Sequence, residues 1–121
     1  MNIFFLNKDP VLAARAQCDK HVVKMVLETT QMLSTAAIRN GRRAIYQSAY
    51  PNHPMTKWVG NTKDNYMWAY EHAVALSKEY TARYGKFHAC HKIICLLSGS
   101  KTFKSPNFSA DLIFLPISCK T

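Results

Sequence analysis

Between positions 18 and 40 apolar residues return at short, helix-like intervals: Val22, Val23, Met25, Val26, Leu27, Met32, Leu33 and Ile38. That period predicts one long helix with a wide buried face. The same segment carries His21, Lys24, Glu28 and Gln31, whose steps of three, four and three return them to one narrow stripe. A stripe flanked by so much apolar surface is half-desolvated. A carboxylate and an imidazole held there are expected to shift each other's proton affinity, which is what acid–base chemistry uses. The plainer reading of the same residues is a helix-stabilising Lys24–Glu28 pair with His21 on the surface.

The pattern on either side places the remaining elements. Ile3 to Leu6 is an apolar run that suits either a strand or a buried N-terminal arm. Asp9-Pro10 supplies a cap and a first-turn proline for a short helix through about Ala16. Asp19 near the start of the central helix complements its dipole, and Gly41 is a stop signal. Periodicity lapses from Arg42 to Asn61, so that segment is expected to be a functional loop with a short helical turn after Pro54. Thr62 can cap a long helix ending at Gly85, with Met67, Ala69, Tyr70, Ala73, Leu76, Tyr80 and Tyr84 on its core face. A further helix is expected over about Phe87 to Leu97. After Ser98 serine, glycine and proline punctuate the chain, and an irregular C-terminal arm over about 98–121 is expected. The fold class is all-α: a small helical bundle in a single domain over 1–121, with a short N-terminal arm and an irregular C-terminal one.

Composition narrows the function classes. At 121 residues and 48% hydrophobic, the chain has material for one modest core. It has no run of about 18 apolar residues. Its N-terminus, MNIFFLNKDP, is charged too early for a secretory signal, so a soluble cytoplasmic protein is expected. Cys18, Cys90, Cys95 and Cys119 are irregularly spaced and are expected to be free thiols. Sixteen Lys and Arg against seven Asp and Glu give a net charge of +9, which favours a polyanionic partner. Nucleic acid is expected rather than a membrane, because no stretch joins a basic face to a clean apolar one.

Candidate chemistry concentrates in a few places. Cys18-x-x-His21 and Cys90-His91-x3-Cys95, with His88, contain metal-ligand residue types but no complete zinc spacing, so no metal and no cofactor is expected. Asn52-His53-Pro54, with Lys57 and Trp58 within one further turn, suits a nucleobase held against an aromatic face. The competing reading is a turn with Trp58 as core filler. Arg39, Arg42 and Arg43 form a small basic cluster suited to a nucleic-acid backbone.

Asp19, His21 and Glu28, spaced D-x-H-x6-E, resemble the corresponding helix of the small all-helical phage pyrimidine-dimer DNA glycosylases that are also abasic-site lyases. The His53-Pro54 turn, the aromatic helix with His72 and Glu79, and Arg83-Tyr84-Gly85 are similar to the rest of that scaffold over about residues 1 to 90. The chain also resembles phage proteins of unassigned function, which implies a phage-infected host cell as its setting. The resemblance implies that Glu28 stabilises a sugar cation and moves protons, that His21 orients or polarises it, and that Asp19 fixes the arm or the imidazole. Together with the stripe and the aromatic segment this leads to the expectation of Lys24, Gln31, Asn52, His53, Lys57 and Trp58 around the substrate, and of DNA more than RNA, or a nucleotide, as the partner. The family's nucleophile is the α-amine of an N-terminal threonine, whereas this chain has Asn2 in that place. Leu27 and Gln31 stand where the family carries arginines beside the glutamate. Glycosidic cleavage by water activated at Glu28 is therefore the expected reaction. The alternative is a non-catalytic nucleic-acid or nucleotide binding module on the same scaffold.

Overall fold

The computed structural model describes residues 3–40 and 51–97. Over these the chain forms five helices and no strand: α1 (Pro10–Arg15), α2 (Asp19–Arg39), α3 (Pro54–Asn61), α4 (Lys63–Tyr84) and α5 (His91–Leu96). Residues 3–6 form an arm rather than a strand, and Ile3 is buried in the core. Arg42, Arg43, Gly41, Cys119 and the expected C-terminal arm lie outside the described residues.

Local chemistry sets the helix ends. The Asp9 carboxylate accepts from Val11 N (2.8 Å) and Leu12 N (3.2 Å), and Pro10 occupies the first turn of α1. Thr62 Oγ1 accepts from Asn65 N at 3.1 Å to open α4, and Gly85 closes it in the left-handed region at φ 72°. Asn40 ends α2, with its side-chain amide donating to the Ala36 carbonyl at 2.8 Å. The segment after Pro54 is longer than a turn: α3 runs for eight residues, because His53 Nδ1 caps it by accepting from Met55 N at 3.1 Å. The last helix is shorter than its apolar pattern, beginning at His91 and leaving Phe87 exposed.

The two long helices α2 and α4 form the centre, with α1 and α5 against α4 and α3 against both. Val22, Val26, Met32, Leu33, Tyr66, Tyr70 and Leu76 are essentially fully buried between them. Small residues let α3 approach α2: a Cβ on Gly60 would lie 3.4 Å from that of Ala36. Two apolar expectations are corrected. Val23 and Leu27 are each 40% exposed, because they sit beside Lys24 on the outer side of α2, and Tyr84 is 42% exposed in the last turn of α4. No described helix is long and apolar enough to cross a membrane.

Candidate active site

The polar stripe of α2 is where an imidazole and a carboxylate meet the core boundary. His21, Glu28 and Gln31 are half-buried and Lys24 is exposed. Glu28 Oε2 has no contact with solvent, although the side chain as a whole is only partly covered. Lys24 takes part in no ion pair among the described residues, so the plain i, i+4 pairing with Glu28 is not formed. His21 is held instead by Phe4 of the arm, whose ring stacks on the imidazole with centroids 4.3 Å apart and planes 8° from parallel. From His21 to Glu28 is seven residues, about 10 Å along the helix axis.

Asp19 faces another partner. Its Oδ1 accepts from Arg83 Nη1 at 3.0 Å, and the same guanidinium donates to Glu79 Oε1 (2.9 Å), to the Gln17 carbonyl (2.8 Å) and to the Arg15 carbonyl (3.2 Å). Five donors in a rigid plane suit this cluster of acceptors, and the result ties the α1–α2 connection to the end of α4. Asp19 is thus paired with Arg83, and neither the arm nor the His21 imidazole is its partner among the described residues.

The start of α1 and the α1–α2 connection are also fastened by His72. Its Nδ1 must donate to the Pro10 carbonyl (2.9 Å), since a carbonyl only accepts. Nε2 is then left to accept from the Gln17 amide at 3.1 Å. Burial pushes this imidazole below its ordinary pKa, against the opposing pull of the Pro10 bond, so it stays neutral. Burial also lowers His88, whose Nε2 donates to the Val23 carbonyl at 3.2 Å and thereby opposes the shift.

The other expected contact residues fall in different places. Asn52 and Lys57 are exposed at the start of α3, His53 is committed to its cap, and Arg39 is exposed in the last turn of α2. Trp58 packs on the core yet keeps an edge toward Phe5, with centroids 5.2 Å apart and planes at 76°. Trp58 is thus core filler on one side and remains partly exposed. Separately, α1 and α4 border a cleft of about 310 Å³ lined by Val11, Arg15, Glu71, Val74, Lys78 and Glu79 among others. Burial, with Asp9 adding repulsion, raises the Glu71 carboxyl above its ordinary range. None of the stripe residues lines that cleft. Among the described residues no three His, Cys, Asp or Glu side chains converge as a metal site would require.

Phe4, Phe5, Gln17 and Arg83 take larger parts than their sequence context suggests. The one local signal for the aromatic pair was their place in the short apolar run before Asp9, and Arg83 was marked only by its place in the Arg83-Tyr84-Gly85 end of α4.

A small all-α bundle whose second helix bears an imidazole and a half-buried carboxylate in one stripe, with an aromatic arm laid on the imidazole, has the residue types of a helix-borne acid–base site. The chain belongs to the pyrimidine dimer DNA glycosylase family, whose model matches residues 1–92 and so takes in Asp19, His21, Glu28 and all of α4. No curated protein and no solved structure is significantly similar to it.

Proposed function

We propose that the protein cleaves the N-glycosidic bond of a damaged pyrimidine nucleotide in DNA, with Glu28 as general acid/base and His21 as the group that positions it. The observation that carries this reading is the placement of Glu28: within the family match, on the stripe with His21, and with one carboxylate oxygen withdrawn from water. A carboxylate so placed takes a proton from water as the oxygen attacks the anomeric carbon. The electrons of the carbon–nitrogen bond leave with the base, which is then protonated. Withdrawal from bulk water strengthens its electrostatic hold on the developing sugar cation.

The surrounding residues divide by reach. Lys24 and Gln31, on the same stripe, meet the sugar–phosphate beside the target. Asn52, His53, Lys57 and Trp58 border the approach from α3. Arg39, Arg42 and Arg43 meet the backbone beyond it, in keeping with a chain of net charge +9. Asp19 keeps the start of α2 in place through Arg83.

Incubating the protein and its Glu28→Gln form with undamaged, ultraviolet-irradiated and abasic duplexes, with and without borohydride, tests the reading. Base release from irradiated DNA by the wild type, lost in Glu28→Gln while DNA affinity is kept, is the expected result. Full activity in the variant removes Glu28 from the mechanism. A borohydride-trapped adduct would assign the chemistry to an amine nucleophile.

A further inference from the structure

The cleft between α1 and α4 lies apart from the stripe, and its two ends differ in charge. His72 bonds to the Pro10 carbonyl and Arg83 to the Arg15 carbonyl, so α1 runs beside α4 in the same direction, its start level with residue 72 and its end with residue 83. The cleft follows this seam. Its wall on α4 is apolar and buried at Val74 and Ala75, with Val11 contributed by α1. Glu71 stands at the end near the start of α1, and Arg15 and Lys78 stand toward the other end. From Glu71 to Lys78 is seven residues, about 10 Å along the helix.

These charged groups find no partners within the fold. The half-buried Glu71 carboxyl makes no hydrogen bond or ion pair among the described residues. Burial, reinforced by Asp9, raises its pKa, as expected of a carboxyl that no donor holds. The Arg15 guanidinium and the Lys78 ammonium are exposed and also enter no ion pair among the described residues. Glu79, the nearest carboxylate along α4, is already matched, its Oε1 accepting from Arg83 Nε at 2.9 Å. An apolar cleft with a few convergent polar groups is the usual form of a small-ligand site, and about 310 Å³ is the lower end of the size range.

We propose that this cleft binds one 5′-phosphorylated nucleotide, with its phosphate on Arg15 and Lys78, its base against Val11, Val74 and Ala75, and an amino group of the base donating to Glu71. Two uncompensated cations suit a phosphate group, and the guanidinium fork matches its oxygens. A glutamate accepts from the cytosine N4 amino group in base recognition generally. Cytosine is the smallest base with such a group and thymine lacks one, so a cleft of this size is expected to favour dCMP over dTMP. None of the stripe residues lines the cleft, so the site stands whether or not Glu28 is catalytic.

Isothermal titration with dCMP, dTMP and deoxycytidine tests the assignment. Wild-type protein is expected to bind dCMP saturably and at least about tenfold more tightly than dTMP, because a buried acceptor left without its donor is costly. The double variant Arg15→Ala, Lys78→Ala is expected to weaken dCMP at least about tenfold and deoxycytidine less than about twofold, since only the phosphate contacts are removed. It changes two exposed side chains and leaves the Arg15 carbonyl to Arg83, so the fold is kept. Glu71→Ala is expected to erase the preference for dCMP over dTMP, and Glu28→Gln to leave dCMP affinity unchanged. A single-stranded oligonucleotide ending in 5′-phosphorylated deoxycytidine, titrated beside dCMP, shows by the tighter binding whether a free nucleotide or a strand end is the source. No saturable binding of either, equal affinity for dCMP and dTMP, or full dCMP affinity in the double variant overturns the proposal. So does affinity lost in Glu28→Gln, which would move the nucleotide to the stripe.

Discussion

The imidazole of His21 and the ring of Phe4 lie face to face, 4.3 Å apart and 8° from parallel, so that a residue of the polar stripe of α2 also holds the N-terminal arm. Aromatic pairs of this kind contribute about 0.5 to 1.5 kcal/mol beyond the area they bury. A double-mutant cycle of Phe4→Ala and His21→Ala, read by chemical denaturation, is expected to return a coupling energy in that range. Phe4→Ala alone is expected to lower turnover as well as stability, since it frees the imidazole; unchanged turnover would separate the stack from catalysis.

Arg83 gathers two carboxylates and two backbone carbonyls from three parts of the chain. Arg83→Ala is expected to cost about 1.5 to 3 kcal/mol, the usual range for hydrogen bonds to a charged group, because two carbonyls of the α1–α2 connection lose their donor. Arg83→Lys is expected to recover less than half of this, since an ammonium lacks the planar fork. Urea melts of the two variants measure the difference.

Acid is expected to destabilise the fold through His72. Its folded pKa is lowered, first by burial, so the unfolded chain takes up the proton more readily. The contribution is complete above the ordinary value of about 6.5 and is lost as the pH falls through the folded value. His88 adds to the same slope for the same reason. Melting temperature followed from pH 7.5 downward should therefore decline below about 6.5. His72→Gln, which keeps a donor for Pro10, should melt lower at pH 7.5 but with a shallower acid slope.

The approach of α3 to α2 depends on Gly60. A methyl there would meet the Ala36 Cβ at 3.4 Å, an ordinary contact, so Gly60→Ala is expected to be neutral or to stabilise by up to about 1 kcal/mol through helix propensity. Gly60→Val would overfill the same gap and is expected to cost about 1 to 3 kcal/mol. Thermal melts of the pair show whether this contact sets the spacing.

Local sequence determined the helices and their ends, because caps and periodicity act within a few residues. Asp9-Pro10, Thr62 and Gly85 each perform the role their chemistry predicts, and the return of His21, Glu28 and Gln31 to one stripe follows from helix geometry alone. His53 extended α3 beyond a turn because its ring nitrogen caps, a use of histidine that the sequence does not announce. What only the tertiary structure decided are the partners: Asp19 meets Arg83 across 64 residues, His72 meets Pro10 across 62, and Trp68 meets Lys8 across 60. Such meetings arise when buried faces pack and bring distant polar groups together, where burial without a partner would be costly. No short window of sequence contains both sides of that bargain, so the stripe was legible from residues 18–40 and the stacking of Phe4 on His21 was not.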